Sequence, residues 1–448
     1  MPKKAEKDLE PKKASKKSGS KTAQLLRGFK DILPSEQTYW EFVRKTAESF
    51  YKGYGFARID LPVLEEATLF VRSIGKGTDI VEKEMFSFTD QGQGLVVMRP
   101  EATASIARAY LNHGMFNMPQ PVKLFYFGPM FRRERPQSGR LRQFHQFGFE
   151  IIGDENPVID AQIIAIANNF FQEIGLGQVS IQVNSIGCPD CRATYIKELI
   201  AYYRSKRKLL CEDCKKRLTK NPLRLLDCKK PSCQFVRTDA PQIIDWLDDA
   251  CKQHFMKVVE YLDELNVSYI LNPHLVRGLD YYTRTVFEIW PKEIKEGAQS
   301  ALCGGGRYDG LIELLGGRPT PAVGVAIGIE RVISQLRHNE VEIATGKSPE
   351  VFLAQIGDQA KVKALQLFEQ LRKEDIEVAE NFSKDSLKAQ LELANKHKVK
   401  YALILGQKEV MDGTILVRDM ESGVQEVIDF KKTVNEIKKK LMNGQIKS

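Results

Sequence analysis

At 448 residues the chain is long enough for two or three domains, and 42% hydrophobic with 28% charged content excludes a disordered or fibrous protein. No run of eighteen apolar residues occurs, which excludes a membrane-spanning helix of ordinary length. The net charge of +9 is uneven: residues 1–21 hold eight lysines against three acids, +5 together, so the remainder is only mildly basic at +4.

This lysine-rich tail (1–21) has no apolar core and no arginine, so it resembles neither a secretory signal nor a mitochondrial presequence. Its composition predicts disorder, serving either nonspecific attraction to RNA or solubility, and a cytoplasmic protein with no membrane partner. After it, Glu36 to Tyr51 predicts an amphipathic helix, with Tyr39, Trp40, Val43, Ala47 and Phe50 at helical spacing and Gly53 to Gly55 as its stop. Phe56 to Pro62 and Gly94 to Arg99 predict strands. Pro100 would open the next helix, where the first turn needs no donor from it. Glu101 and Thr103 then sit at a strand-to-helix junction, a common place for pocket residues.

Residues 125–153 read FYFGPMFRRERPQSGRLRQFHQFGFEIIG. Five arginines (Arg132, Arg133, Arg135, Arg140, Arg142) crowd a turn marked by Pro136 and Ser138-Gly139. In a strand, Phe144, Gln146, Gly148 and Glu150 share one face, while His145, Phe147, Phe149 and Ile151 share the other. The second face can pack on a core. The first looks like a pocket floor, where glycine leaves space and Gln146 and Glu150 supply hydrogen bonds. Tyr126, Gly128, Met130 and Arg132 share a face of the first strand in the same way. Since arginine grips carboxylates and phosphates with a fixed fork, the hairpin suits an anionic, phosphate-bearing ligand beside a small polar one. A solvated basic hairpin is the alternative.

Asp154 to Gln172 predicts a helix, and residues 186–265 a mostly helical, cysteine-rich insertion. Eight cysteines without an export signal read as reduced thiols. Cys188-x2-Cys191 and Cys211-x2-Cys214, nineteen residues apart, fit tetrahedral zinc in spacing, with Cys228 and Cys233 beyond them. Packing of the thiols is the reading preferred at this point: structural zinc across Cys188 to Cys233 is not favoured, and no metal ligand is assigned.

Thr283 to Trp290 and Ser300 to Cys303 predict strands, followed by Gly304-Gly305-Gly306, a run that lets backbone approach a ligand closely. In Ala322 to Ile329 the residues Ala322, Gly324, Ala326 and Gly328 form one small face, a flat slot of the kind a purine needs, or tight helix-on-sheet packing. From 349 onward a new domain is predicted. Val351 to Ile356, Ile376 to Phe382 and Tyr401 to Leu405 alternate with helical stretches as βαβαβ, and Thr414 to Arg418 and Val424 to Phe430 complete a sheet before a lysine-rich last helix.

FRRERPQSGRLRQFHQFGFE resembles the second motif of class II aminoacyl-tRNA synthetases, and AVGVAIGIERV their third. LVRGLDYYTRTVFEI and GGGRYDGL are similar to segments of histidyl-tRNA synthetases specifically, as are RGFKDILP and RPEATA. The resemblance runs from Leu26 to about Lys440, with the motifs in order. It implies an α+β fold: a class II catalytic domain with an antiparallel sheet and flanking helices (22–345), and a C-terminal α/β anticodon-binding domain (349–448). The implied activity is ATP-dependent activation of L-histidine and its transfer to the 3′ end of tRNA(His), by a homodimer, with Mg²⁺ accompanying ATP.

Carried over by residue, the resemblance gives Arg132 to the ATP α-phosphate and the histidine carboxylate, and Arg277 to charge stabilisation during adenylate formation. Both count as catalytic and as histidine-binding. Arg331, Arg140 and Glu134 are given to ATP. Glu101, Thr103 and Gln146 are given to the amino and carboxylate groups of histidine, and Glu150, Tyr281 and Tyr282 to its imidazole. Arg135 and Gln137 are given to the tRNA acceptor end. The alternative is a catalytically inactive, regulatory or RNA-binding paralogue. Such proteins typically lack the Arg277 segment and the C-terminal domain, and both are present here.

Overall fold

The structure is a computed structural model that describes residues 22–92, 94–136, 139–292, 301–343 and 348–445. The chain divides into two compact units, with the boundary at residues 342 and 343.

In the first unit α1 (Pro34–Gly53) begins on proline and turns a stripe of Val43, Ala47 and Tyr51 inward. Next come β1 (Ala57–Arg58), β2 (Leu64–Glu66), α2 (Ala67–Ile74), β3 (Phe86–Thr89), β4 (Leu95–Met98), α3 (Thr103–Asn112), β5 (Val122–Phe131), β6 (Gln143–Ile152), α4 (Pro157–Glu173) and β7 (Val179–Ser185). Four helices follow: α5 (Pro189–Ser205), α6 (Glu212–Lys220), α7 (Pro231–Arg237) and α8 (Asp249–Glu264). β8 (Ile270–Leu271), β9 (Thr283–Pro291), β10 (Cys303–Arg307), α9 (Leu311–Leu314), β11 (Ala322–Gly328) and α10 (Ile329–His338) complete the unit.

Eight strands form one sheet in the order β1-β5-β6-β11-β10-β9-β7-β8, antiparallel throughout except for the two-residue edge strands. The expected alternation in β6 holds. Phe147, Phe149 and Ile151 are fully buried, and Tyr51 of α1 and Phe170 of α4 pack on their rings at 4.6 and 4.9 Å. That face anchors the helices and leaves the opposite face of the sheet for a cleft.

Three expectations about elements need correction. The strand expected at 56–62 shrinks to β1, because the carbonyls of Leu61 and Pro62 are taken by the Arg99 guanidinium at 2.7 and 3.2 Å instead of a ladder. The helix after Pro100 starts at Thr103, since the Glu101 side chain occupies the turn and caps it. The triple glycine, expected to follow a strand ending at Cys303, is β10 itself, buried between β9 and β11. A side chain at Gly305 would meet Phe287 at 2.7 Å and the Gly324 carbonyl at 2.3 Å, so only a bare strand fits there. At its end the buried Arg307 donates to Asp160 of α4 and to the Asp154 carbonyl, which pins β10 to the helix layer.

The second unit is a five-stranded sheet, β13-β12-β14-β15-β16, from β12 (Val351–Gln355), β13 (Val378–Glu380), β14 (Tyr401–Leu405), β15 (Thr414–Asp419) and β16 (Gln425–Asp429). The first three strands are parallel and linked by α11 (Asp358–Lys373) and α12 (Leu387–His397); the last two are antiparallel, and α13 (Gln407–Asp412) and α14 (Thr433–Gln445) complete it. Alternation in β12 and β14 feeds two cores, Leu353 and Leu403 under Leu367, and Phe352 and Ile404 under Ala394. Together the two units are the α+β architecture expected, with a separate C-terminal α/β unit.

Candidate active site

The open face of β6, β11, β10 and β9 floors a cleft of about 650 Å³ in the first unit. One end is acidic and buried. Glu101 accepts from the backbone N–H groups of Thr103 and Ala104 at 2.8 and 2.9 Å, and the Tyr281 hydroxyl reaches it at 3.3 Å. Glu150 on β6 accepts from the hydroxyls of Thr103 (2.8 Å) and Tyr308 (2.6 Å). Burial raises the pKa of Glu101 against the pull of its backbone donors, and pushes Glu150 up to about 8 although two hydroxyls favour its ionised form. Gln146 Oε1 and the Tyr126 hydroxyl are buried without a hydrogen-bond partner. Each such orphan costs roughly 1–3 kcal/mol, which a donor-bearing ligand would recover.

The other end is basic. Arg132 donates its Nε to the Pro100 carbonyl at 2.9 Å, and its guanidinium lies over the Phe144 ring at 5.4 Å, which fixes the fork. Arg331, on the first turn of α10, donates to the Ala301 carbonyl at 2.8 Å. Burial lowers its pKa, and the cationic Arg140 and Arg132 lower it further. Arg140 is steadied by Glu134 at 3.0 Å. Clustered guanidiniums of this kind repel one another until an anion lies between them.

Arg277 also lines the cleft. It lies flat against β10, so close that a Cβ on Gly304 would sit 2.3 Å from its Nη1. It is ion-paired with Glu288 of β9 and stacks over Tyr282 at 5.6 Å. Burial opposes its charge, but Glu288 outweighs this and holds its pKa above the ordinary value. The close backbone approach expected of the triple glycine is therefore real, but the group that approaches is Arg277.

Glu101, Thr103, Arg132, Glu134, Arg140, Gln146, Glu150, Arg277, Tyr281, Tyr282 and Arg331 all line this one cleft. Arg135 lies outside it, exposed on the hairpin. Gln137 lies outside the described residues, as does the tail 1–21. Two details differ from expectation. Gly148 makes room for the Tyr126 phenol, 2.6 Å from where a Cβ would be, rather than for a ligand. Gly324 makes room for the Glu150 carboxylate, so at that position the small face of β11 carries an acid rather than a bare slot, while Ala326 and Gly328 also line the cleft.

Sequence reasoning placed Tyr126 on the cleft face but missed Tyr308 and Glu288. Tyr308 lies inside the GGGRYDGL segment, and Glu288 is the one acid in the apolar TRTVFEI strand, so both left a signal. The cysteines group differently from the expected CxxC pairing. Cys211, Cys214, Cys228 and Cys233 converge in one place, and Cys188, Cys191 and Cys251 converge with Asp248 in another.

An antiparallel sheet with an arginine hairpin, a small-faced strand and a helix-borne arginine around one cleft is the catalytic architecture of the class II aminoacyl-tRNA synthetases. A family model described as histidyl-tRNA synthetase matches residues 28–195 and 231–332, and one described as an anticodon-binding domain matches residues 350–440. The histidine--tRNA ligase of Dehalococcoides mccartyi is 48% identical over 418 residues, which is 93% of this chain and all of that protein. That of Pelotomaculum thermopropionicum is 46% identical over 415 residues, 93% of this chain and 97% of its own length. The apo crystal structure of the S. aureus histidyl-tRNA synthetase superposes with a TM-score of 0.76 at 34% identity, over 93% of this chain and 99% of that one. The chain belongs to the histidyl-tRNA synthetase family.

Proposed function

We propose that this chain activates L-histidine with ATP to histidyl-adenylate and transfers the histidyl group to the 3′ end of tRNA(His). The supporting observation is the polarity of the cleft: buried carboxylates and an unpaired amide oxygen at one end, fixed guanidiniums at the other. An amino acid with a cationic amine and N–H-bearing ring suits the first, and a polyphosphate the second.

In this reading Glu101, Thr103 and Gln146 receive the ammonium and carboxylate groups, while Glu150, Tyr281 and Tyr282 surround the imidazole. Glu150 accepts an imidazole N–H beside the two hydroxyls it already holds, and an analogue without that N–H would leave one of its buried acceptor positions unfilled, which discriminates against the analogue. The histidine carboxylate attacks the α-phosphorus of ATP, and pyrophosphate leaves. Arg132 and Arg277 hold the negative charge that builds on the phosphoryl oxygens, and Arg331, Arg140 and Glu134 orient the ATP phosphates. ATP enters as its magnesium complex, so the metal is part of the substrate. No protein nucleophile is needed. In the second step the terminal ribose hydroxyl of tRNA attacks the adenylate carbonyl and AMP leaves. Arg135 and Gln137 on the hairpin would meet the acceptor end, and the second unit the anticodon. The family also implies a cytoplasmic homodimer. The presence of Arg277 in the cleft, and of the second unit, speaks against an inactive paralogue.

Histidine-dependent exchange of labelled pyrophosphate into ATP, measured across all twenty amino acids, tests the reading. Exchange with histidine alone is expected; exchange with another amino acid, or with none, overturns it.

A further inference from the structure

The thiols of the helical insertion take no part in the cleft chemistry. Packing alone would let four cysteines scatter through the core as small apolar side chains. Instead the Sγ atoms of Cys211, Cys214, Cys228 and Cys233 all lie within 4.8 Å of one another. Cys211 and Cys228 are 3.9 Å apart, and the Cys211 N–H points at the Cys233 sulfur at 3.2 Å. A disulfide needs about 2.0 Å. Four sulfurs at the usual zinc–thiolate length around a tetrahedral ion stand about 3.8 Å from one another. The cluster therefore already has the size of a thiolate cage, and three of its cysteines are at most 6% exposed.

The remaining group is independent of the first. Cys188 and Cys191, at the start of α5, face Asp248 and Cys251, at the start of α8. Asp248 Oδ2 lies 3.2 Å from the Cys188 sulfur and 3.1 Å from that of Cys191, and these sulfurs are 3.5 Å apart. The other oxygen, Oδ1, accepts from the Cys251 N–H at 2.7 Å, which holds the carboxylate in this orientation. Three thiols and one carboxylate oxygen make a set of four donors, each of a ligand type that zinc takes.

We propose that the insertion carries two structural zinc ions, one held by Cys211, Cys214, Cys228 and Cys233 and one by Cys188, Cys191, Cys251 and Asp248. The first closes a segment whose two helices, nine and seven residues long, are too short to persist alone. That segment reaches the cleft, where Leu226, Asp227 and Lys229 form part of the wall. Its Arg224 packs against Gly278, next to Arg277, and donates to Asp79 at 3.2 Å. The second ion would clip the start of the insertion to α8, which packs on α4. Both sites are structural, so their occupancy can be read without activity.

Elemental analysis of the full chain, after dialysis against a weak chelator, should give two zinc per chain. Each should be released stoichiometrically as a mercurial titrates the thiols, with a chromogenic chelator as reporter. Cobalt in place of zinc should produce the intense visible bands of tetrahedral thiolate coordination. Cys214→Ser and Cys191→Ser should each leave one equivalent, and Asp248→Ala should lose the second ion while leaving the first. The mercurial titration uses the unaltered chain, so it decides even where a variant fails to fold. A chain without zinc, or with zinc that all three variants retain in full, overturns the proposal. A single equivalent abolished by Cys214→Ser and retained by Cys191→Ser removes the Asp248 site and keeps the four-cysteine one.

Discussion

Glutamine in place of Glu150 isolates the electrostatics of the acidic end. Burial holds this carboxyl at about 8 against an ordinary 4.5. Between those values the folded chain retains a proton that the unfolded chain has released, so stability falls as pH rises. The loss begins near 4.5, proceeds at about 1.4 kcal/mol per pH unit, and totals roughly 5 kcal/mol by pH 8. Glutamine has the shape of the protonated acid and does not titrate, so the variant should lack this slope. The chain's three tryptophans, Trp40, Trp246 and Trp290, all lie in the first unit, so their fluorescence follows that unit alone. Urea unfolding without ligands at pH 5.5, 6.5 and 7.5 should show the wild type losing about 1.4 kcal/mol per pH unit more than Glu150→Gln. Equal slopes would mean that Glu150 is ionised in the free protein and the reasoning from burial is wrong. The variant should also bind histidine more weakly and select it less sharply, with ATP affinity nearly intact.

Arg277→Ala should lower the maximal rate of histidine-dependent pyrophosphate exchange by roughly 10²- to 10³-fold with KM values little changed if, as proposed, its charge acts on the transition state; an unchanged maximum takes Arg277 out of the mechanism. Arg132→Ala should be at least as damaging, since in the proposed mechanism one side chain would serve both reacting anions. Gly324→Ala would put a Cβ 1.4 Å from a Glu150 carboxylate oxygen, so the carboxylate must swing away. The histidine KM should rise by at least about tenfold, equivalent to about 1.4 kcal/mol of binding, while the ATP KM stays within about twofold; unchanged KM values would show that Glu150 does not position the ring. A chain ended at Lys347 should still activate histidine but lose tRNA charging, because the second unit would supply remote contacts that position the acceptor end. Charging at full efficiency by such a chain, with its folding checked, would remove the RNA-binding role of residues after Glu350.

Local periodicity made much of this legible. Alternation assigned Gln146 and Glu150 to the cleft face of β6 and the phenylalanines to the core, and helical spacing placed α1 within two residues at either end. What failed was whatever depends on distant partners. A run of three glycines has no strand propensity of its own, and β10 forms because β9 and β11 flank it and Phe287 fills the space above Gly305. Tyr308 reads as an ordinary core phenol until folding brings it against Glu150, 158 positions away in the chain. The cysteine pairs were matched by proximity in sequence, but Cys188 and Cys191 meet Asp248 across about 60 residues and leave Cys211 and Cys214 to other partners.

The glycines in the sheet show how the cleft acquires its depth. Gly304 on β10, Gly324 on β11 and Gly148 on β6 lie on three neighbouring strands. At each, the missing Cβ is replaced by a functional side chain from elsewhere: Arg277 over Gly304, the Glu150 carboxylate over Gly324, and the Tyr126 phenol over Gly148. A glycine inside a strand or helix costs roughly 0.5–1 kcal/mol against alanine. Here it lets a cation, an acid and a phenol lie flat on the sheet without displacing one another. Alanine at Gly304 or Gly324 would lift its charged partner into the space a ligand needs, while leaving the ionisable residues themselves intact; at Gly148 it would also press on the Val325 carbonyl of β11. The shape of the cleft therefore rests on its bare positions as much as on its charged ones. Those positions are legible in sequence only as unexplained glycines in otherwise apolar strands, and their meaning appears when the partner above each is known.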